Sequence, residues 1–319
     1  MRVFLAGGTG AIGRHLVPLL VAAGHRVVVL TRSSDSAAAL ASVGAAPVMG
    51  DVYDQARLAR LVAESEAEVV IQQLTAFGTK TGDPYAETMR VRVDGTRHLV
   101  AAARAAGVRR FIAQSISFVC SPLGTGLTDE ETPLYLDGPA SVRAFVESVA
   151  SLERQALHAK GMSGTVLRYG WFYGPGTSWD ANGFIPCAIR DGTYPLVGSG
   201  AGTYSFIDLR DAAAATIQAL AHDTPGIYNI VDDSPVPLNE WLPFAARLLG
   251  APPPNREDAA AARERIGDIR VYYMNEQRGA SNAKAKRALD WKPAHPSWRA
   301  GFEALYLNRL SPSPPAPRR

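Results

Sequence analysis

The amino-acid sequence predicts an α/β fold: a doubly wound parallel sheet followed by a smaller C-terminal lobe. Strand-like and helix-like segments alternate from residue 2 to residue 170, which is the pattern of consecutive βαβ units. The strand segments are near-continuous runs of Val, Ile and Leu, as expected when helices cover both faces of a parallel sheet. A glycine-rich segment, GGTGAIG, directly follows the first of these runs.

The first part of the chain contains six predicted strands. In order they are RVFLAGG, HRVVVLTR, AAPVMGD, EVVIQQLTA, VRRFIAQSI and SGTVLRYG. The segments between them have helical spacing of apolar residues: AIGRHLVPLLVAAG, SAAALASVG, QARLARLVAESEA, PYAETMRVRVDGTRHLVAAARAAG and SVRAFVESVASLERQALHAKG. Pro18 in the first helix predicts a kink there or a position in its first turns, because proline lacks a backbone N–H.

The regular alternation stops after Gly170. A loop rich in glycine and aromatic residues precedes a short helix (FIPCAIRDG), two strands (YPLVG and YSFIDL), a helix (RDAAAATIQALAHD), a strand (GIYNIVD) and a helix (NEWLPFAARLLG), for which Asn239 is the expected N-cap. We therefore expect a first domain at 1–170, rejoined by 204–232, and a second lobe at 171–310. Residues 311–319 (PSPPAPRR with its flanking Ser) are expected to be a disordered tail.

Composition excludes several classes of protein. Apolar residues make up 47% of the 319 and charged residues 20%, with a net charge of +3 and no Lys/Arg run, so we expect a globular protein that binds no nucleic acid. Cys120 and Cys187 are far apart and lack metal-ligand spacing, which predicts two reduced thiols, no metal site and a cytoplasmic location. No segment approaches a membrane span in length, so no membrane association is expected.

The glycine-rich segment predicts a dinucleotide phosphate site. Gly7, Gly10 and Gly13 follow a strand and open a helix, where glycine permits a tight turn and close approach of a pyrophosphate to the helix N-terminus. Thr9, Ala11 and Ile12 complete the loop. The next strand ends at Arg32, where an NAD site usually has an acidic residue; an arginine suits the 2′-phosphate of NADP.

Two alternatives remain open at the adenosine end of this site. Arg32 is either a 2′-phosphate ligand or a solvated or adenine-stacking residue. Asp51 and Val52, after the third strand, are placed to meet the adenine, although Asp51 competes with Asp54 to cap the next helix. NADP is the expected cofactor, with NAD as the less favoured choice.

In sequence, the chain resembles the extended short-chain dehydrogenase/reductase superfamily, in its NAD(P)-dependent epimerase/dehydratase branch. The resemblance rests on GGTGAIG, GDVYD, RVDGTRHLVAAARAAGVRRFI, LRYGWFYGPGT, VGSGAGTYSFIDLRDAAAA, IYNIVDD and SNAKAKRALDWKP in this order. It implies a Rossmann-type NADP-binding domain and a substrate-binding lobe. It further implies that Leu74 and Thr75 lie beside the ribose, that Ser115 and Tyr169 lie near the nicotinamide, and that a homodimer forms through helices at 84–106 and 138–159.

The catalytic pattern of that superfamily, Tyr-x-x-x-Lys, is missing. Counting back from Glu153 places Phe145 at the tyrosine and Val149 at the lysine, and neither can ionise. The usual Ser or Thr falls on Ile116, between Ser115 and Ser117. Lys80 is the lysine that can reach the cleft, although a solvated loop lysine is the favoured interpretation.

A second departure concerns the substrate. Tyr204 and Trp171 replace the arginine and asparagine that hold nucleotide sugars, which favours a small apolar or aromatic ligand. The candidate substrate residues are Trp171, Phe172, Tyr173, Trp179, Phe184 and Tyr204, and the alternative for each is a place in the core.

These observations lead to an atypical NAD(P)-dependent oxidoreductase that reduces a carbonyl or enone of a natural-product-like substrate. Tyr169 is the expected acid, with Tyr173 and Tyr204 as alternatives, and Ser115 or Ser117 polarises the carbonyl. Two other functions stay open. One is a redox-neutral cyclase, dehydratase or epimerase that uses an acidic residue as base: Asp129, Glu130 or Asp208. The other is a non-catalytic protein that senses NADPH.

Overall fold

A seven-stranded parallel sheet forms the centre of the protein in a computed structural model, which describes residues 1–77 and 83–307. The strands, in chain order, are β1 Arg2–Ala6, β2 Arg26–Thr31, β3 Ala46–Met49, β4 Val69–Gln72, β5 Arg110–Ile116, β6 Ser163–Tyr169, β7 Trp171–Tyr173, β8 Leu196–Val197, β9 Thr203–Tyr204, β10 Phe206–Asp208, β11 Gly226–Ile230, β12 Val236–Pro237 and β13 Arg256–Glu257. The sheet order is β3-β2-β1-β4-β5-β6-β11, and every neighbouring pair is parallel. This strand order is that of a Rossmann fold, which confirms the predicted fold class.

Helices connect these strands and cover both faces of the sheet. They are α1 Gly13–Ala22, α2 Ser34–Ser42, α3 Gln55–Glu64, α4 Pro84–Arg90, a π-helical segment Val91–Gly95, α5 Thr96–Ala105, α6 Ala140–Leu157, α7 Phe184–Arg190, α8 Leu209–Ala221, α9 Leu238–Leu248, α10 Ala259–Ile266, α11 Asp268–Asn275, α12 Ala283–Ala288 and α13 Trp298–Leu307. Among the helices of the described part of the chain, none is long and apolar enough to cross a membrane.

The two faces of the sheet explain why its strands are continuously apolar. Val3 and Leu5 of β1 belong to one buried cluster, shared with α1 and α8, whereas Phe4 and Ala6 belong to another, shared with α3, α5 and α6. Alternate side chains of a strand point to opposite faces, so a strand covered on both faces is apolar at every position.

A smaller lobe follows β7 and has a core of aromatic side chains. It contains three two-stranded pairings, β7 with β10, β9 with β12 and β8 with β13, together with α7, α9, α10, α11 and α13. Trp179, Trp241, Trp298, Phe206 and Phe302 are all at most 3% exposed and contact one another in this core. The chain returns to the large sheet through α8 and β11. The segment expected to be a tail, 311–319, lies outside the described residues.

Two local expectations need correction. The predicted helix at 84–106 is interrupted by the π-helical segment Val91–Gly95 between α4 and α5. Asn239 is not the N-cap of α9: Pro237 ends β12 in an extended conformation and occupies that position, so Asn239 lies in the first turn. Its side chain donates a hydrogen bond to the Ser199 carbonyl at 3.1 Å instead.

Candidate functional site

The loop between β1 and α1 has the geometry of a phosphate site. Gly7 has a φ of +96°, and a Cβ there would lie 2.5 Å from the carbonyl carbon of Gln73. A Cβ at Gly13 would lie 2.4 Å from the backbone of Gly8. No side chain caps α1 at Ile12, and no acidic residue occupies its first turn, so its positive end is open to an anion. These features fit a pyrophosphate.

Three of the predicted loop residues lie between these glycines. Thr9 and Ala11 are half-buried and Gly10 is exposed, in the turn that connects β1 to α1. The Gly10 N–H donates to the carbonyl of Gly7 at 3.1 Å, which closes the turn. The loop therefore presents backbone at the carboxyl edge of the sheet, where ligands of doubly wound folds bind.

The adenosine end of the site carries a charge pair. Arg32 Nη1 lies 3.7 Å from Asp51 Oδ2, and both side chains are substantially exposed. Asp54, rather than Asp51, caps α3 by accepting from the Arg57 N–H at 3.0 Å. Asp51 instead accepts from the N–H of Tyr53 at 2.9 Å, so one of its oxygens stays directed at Arg32. The open alternative for Asp51 is thereby settled against helix capping.

The remaining cofactor candidates follow the neighbouring strand ends. Val52 is buried, and its carbonyl lies 2.9 Å from the Nδ1 of His98. Leu74 is half-buried and Thr75 exposed just beyond β4. Because the carboxyl ends of parallel strands share one edge, the structure brings these residues to the same edge as the glycine loop. Lys80 lies outside the described residues.

Tyr169 lies in the core, which contradicts its expected role as the proton donor. Its side chain is fully buried, its hydroxyl lies 2.7 Å from Thr216 Oγ1, and it accepts a hydrogen bond from Gln73 Nε2 at 3.3 Å. Burial raises the pKa of Tyr169 to about 12. The last residue of β6 points toward α8, so its phenol is enclosed and already bonded.

The Ser115 hydroxyl is also engaged in a hydrogen bond in the interior of the protein. Its hydroxyl donates to Glu153 Oε1 at 2.6 Å, and Arg168 donates to both oxygens of Glu153 at 2.7 Å. All three residues are at most 4% exposed. Burial alone would lower the pKa of Arg168, but the hydrogen bonds to Glu153 raise it above its usual value. This buried network corrects the expectation that Ser115 polarises a substrate. Ser117 is buried too, and its N–H donates to the Tyr169 carbonyl at 2.9 Å.

Apolar packing occupies the two positions of the missing catalytic pair. Phe145 and Val149 are 3% and 1% exposed and form one cluster with Ile116, at the end of β5. They are therefore buried within the subunit itself. Neither position can donate or accept a proton.

The aromatic candidates divide into accessible and buried groups. Phe184 is 67% exposed, and Trp171 is half-buried and stacks on Phe118 with ring centres 4.0 Å apart. Tyr173 and Trp179 lie in the core of the smaller lobe, which contradicts their assignment to a substrate surface.

Two further candidates lie next to these groups. Tyr204 is 2% exposed and packs against Trp171 at 5.3 Å, and burial raises the pKa of its phenol. Phe172 is half-buried and packs on Tyr169 at 5.3 Å. Of the aromatic candidates, Trp171 and Phe184 thus remain the best placed to meet a ligand.

The candidate bases for redox-neutral chemistry are engaged in structural hydrogen bonds. Asp208 caps α8 and accepts two bonds from the Arg210 guanidinium, at 2.8 and 2.7 Å. Glu130 accepts from the N–H of Asn229 at 2.7 Å. Asp129 is exposed and accepts from residues of its own turn.

Sequence reasoning missed a cluster on the substrate side of the sheet edge. The guanidinium of Arg92, in the π-helical segment, lies 4.6 Å from the centre of the Phe145 ring. Tyr85 packs on the same ring at 5.8 Å, and Tyr273 meets Trp171 edge-on at 4.9 Å. One signal was available: Arg92 falls on the buried stripe of its helix, four residues from the buried Thr88 and Thr96.

Comparison with known proteins agrees with this site. The profile of the NAD dependent epimerase/dehydratase family matches residues 3–231, and the chain belongs to this family. Together with the open helix end and the glycine loop, membership supports a nicotinamide dinucleotide as cofactor.

Several curated relatives are reductases. The chain is 43% identical over 306 residues to a 3-diazoavenalumate denitrifying reductase from Streptomyces sp, covering 95% of this chain and 99% of the relative. It is 29% identical over 256 residues to the 4-hydroxy-2-methyl-3-oxo-4-farnesyl-3,4-dihydroquinoline-1-oxide ketoreductase of Stigmatella aurantiaca, covering 78% and 74%. The protein is thus an NAD(P)-dependent oxidoreductase of the reductase type.

Solved structures confirm the fold. A UDP-glucose 4-epimerase from Thermotoga maritima superposes with a TM-score of 0.75 at 21% identity, covering 97% of this chain and 99% of that one. A dTDP-glucose 4,6-dehydratase from Streptomyces venezuelae gives the same TM-score at 24% identity, with 98% of each chain covered.

Proposed function

We propose that this protein is an NADPH-dependent reductase that removes the diazo group of a small aromatic compound as N₂. The observation that carries the proposal is the apolar packing of Phe145 and Val149, which leaves no proton donor where the superfamily has one. Reduction of a ketone needs such a donor, because an alkoxide forms as the hydride arrives. A substrate that accepts a hydride without forming an alkoxide fits this site better.

An aromatic diazonium group has that property. When bound, the dinucleotide supplies a hydride. Hydride addition to the terminal nitrogen of Ar–N₂⁺ gives the neutral diazene Ar–N=N–H. The N–H and C–N bonds of the diazene then break, its hydrogen is transferred to the ring carbon as a C–H bond forms, and N₂ leaves. The overall change is Ar–N₂⁺ plus H⁻ to Ar–H plus N₂. No oxygen acquires negative charge, so Tyr-x-x-x-Lys can be lost without loss of the reaction.

The relative named for denitrifying reduction of a diazo acid supports this substrate class, since it matches almost the whole chain at 43% identity. The aromatic surface around the sheet edge supports it as well. Trp171 and Phe118, both half-buried and stacked on each other, supply aromatic rings that suit a flat aromatic ligand.

The preference for NADP rests on Arg32. Arg32 directly follows β2, and its guanidinium is exposed on the adenosine side. Its ion pair with Asp51 is a weak surface contact that a 2′-phosphate can displace. As further expectations we retain a cytoplasmic location and a homodimer through the helices at 84–106 and 138–159.

Carbonyl or enone reduction is the second candidate. It is favoured by Tyr85, a half-buried tyrosine that packs on the ring of Phe145 and could donate a proton there. The 29%-identical ketoreductase is consistent with it.

One experiment separates the two candidates. Purified protein and NADPH are incubated with 3-diazoavenalumate, with 4-carboxybenzenediazonium and with a panel of aromatic ketones and enones. NADPH consumption is followed together with N₂ release and product mass. We expect one N₂ and one Ar–H for each NADPH oxidised, and little reaction with ketones. Alcohol formation from ketones without N₂ release from either diazo compound would overturn the proposal in favour of carbonyl reduction.

A further inference from the structure

Arg92 is a buried cation at the substrate side of the sheet edge, and part of its guanidinium lacks a hydrogen-bond partner among the described residues. The residue is 3% exposed, and its Nη1 has no hydrogen-bond partner among residues 1–77 and 83–307. None of the ion pairs within those ranges includes it. Arginine stays protonated in proteins, so a positive charge lies here that no ion pair within the described part of the chain neutralises.

Glu153, the carboxylate that acts on this charge, is already hydrogen-bonded to other residues. Glu153 raises the pKa of Arg92, but its two oxygens accept from Arg168 and Ser115. Burial is the larger effect and lowers the pKa of Arg92 to about 10. A buried guanidinium in this condition is stabilised by any anion that reaches it.

The location of Arg92 is that of a ligand site. Its guanidinium covers the Phe145 ring, and Phe145 packs with Ile116, the last residue of β5. Arg92 therefore lies at the carboxyl edge of the parallel sheet, where ligands of such folds bind. It also belongs to a π-helical segment, a local distortion that is frequent at functional sites.

A second donor without a partner borders the same cluster. Trp171 Nε1 is buried with no hydrogen-bond partner in the described ranges, and the Trp171 ring meets Tyr273 edge-on at 4.9 Å. Phe118, on which the Trp171 ring stacks, packs against the cluster that contains Phe145. Aromatic rings with two unpaired N–H donors suit a flat ring that carries a negatively charged oxygen.

We propose that Arg92 binds an anionic oxygen, a carboxylate or a phenolate, of the aromatic substrate and so orients the ring in the cleft. This assignment deepens the proposed function and rests on its aromatic substrate class. Arg92 is a binding and specificity-determining residue in this account, and the reducing chemistry does not depend on it for a proton.

The test measures binding with compounds that cannot react, so that it is independent of turnover. Titration calorimetry of the NADP⁺-saturated protein uses cinnamate, its neutral amide, and 4-hydroxycinnamamide above and below the pKa of its phenol. The wild type should prefer an anion to its neutral counterpart by about 10- to 100-fold, the value of a charge-assisted hydrogen bond. The carboxylate and phenolate arms show which oxygen is recognised. Equal affinity for anions and neutral compounds would overturn the proposal.

Variants test whether Arg92 is the residue responsible. Arg92→Gln should lose the preference for anions and keep its affinity for the neutral amide and for NADPH, whereas Arg92→Lys should retain part of the preference. Arg97→Gln, an exposed substitution in α5 just after the π-helical segment, is the matched control. A parallel loss of NADPH affinity would assign Arg92 to the cofactor, and equal losses for both compounds would make it structural. If Arg92→Gln does not fold, the wild-type and Arg92→Lys titrations still show whether Arg92 is responsible for the preference for anions.

The outcomes for the two proposals are separable. Anion-selective binding with no turnover of diazo compounds supports the role of Arg92 and removes the diazo substrate. Turnover of diazo compounds with no anion selectivity does the reverse.

Discussion

Glu153→Gln removes the anion from the buried network of Arg168 and Ser115. Glutamine has nearly the same shape, but it removes the carboxylate that pairs directly with the buried Arg168 guanidinium. If the amide oxygen takes the place of Oε1, it still accepts from Ser115 and from Arg168 Nε, whereas the 2.7 Å bond from Arg168 Nη2 to Oε2 is lost. Breaking a buried ion pair in this way costs about 3–5 kcal/mol.

The entropy of unfolding, which grows with chain length, determines how far this cost lowers Tm. A chain of 319 residues has an unfolding entropy of about 0.7 kcal/mol per kelvin, so Tm should fall by about 4–8 °C. Differential scanning calorimetry at neutral pH checks the value, and NADPH titration checks that the cofactor site survives. Ser115→Ala is the matched control, because it removes one hydrogen bond and leaves the charges balanced.

The result that refutes this reasoning is a small change. A Tm within about 1 °C of the wild type, corresponding to less than about 1 kcal/mol, would mean that water reaches the pair and that it resembles a surface ion pair. Ser115 would then be free to act on a substrate, and its exclusion from the chemistry would fail.

Four more predictions follow from single side chains. Gly13→Ala should abolish NADPH binding in a fluorescence titration, because the added carbon would lie 2.4 Å from loop backbone; unchanged affinity would contradict the phosphate site. Arg32→Glu should weaken NADPH by about 1–3 kcal/mol and leave NADH nearly unaffected in the same titration, and equal wild-type affinities for both cofactors would refute the NADP preference. Tyr169→Phe should keep kcat within a few-fold, since its phenol lies in the core, and loss of turnover in a folded variant would restore it as the acid. Burial raises the pKa of Asp232 to about 7, so the folded state keeps a proton that the unfolded chain loses near about pH 4. Wild-type stability should therefore fall as pH rises through this window, and urea titrations should show Asp232→Asn to be the more stable protein at pH 8 and no different at pH 4.

The sequence was sufficient for the sheet and the phosphate loop because their signals are local. Close backbone contacts around the first βα loop require glycine at positions 7 and 13. The continuously apolar strands indicate that helices cover both faces of the sheet. The loss of ionisable groups at Phe145 and Val149 followed from counting along the catalytic motif that the family resemblance implies.

The face on which a side chain lies was not readable in the same way. A strand that is apolar on both faces has no alternation, so nothing in β6 shows that Tyr169 points toward α8 while Arg168 points toward α6. Aromatic residues gave a similar difficulty, since Trp179 in the core and Trp171 beside the cleft come from the same short segment. Arg92 was missed although its spacing from Thr88 and Thr96 places it on the buried stripe, because spacing does not show the π-helical turn that holds it over Phe145.

The central claim is that this reductase transfers a hydride without a protein proton donor, and isotope effects on a diazo substrate test it most directly. Turnover is measured with NADPH deuterated at the transferring position, and separately in D₂O. The account predicts a slower reaction with the deuterated cofactor and no effect of D₂O on the hydride-transfer step. A large solvent effect on that step would contradict it, because a proton would then move together with the hydride, and an acid such as Tyr85 would have to supply it.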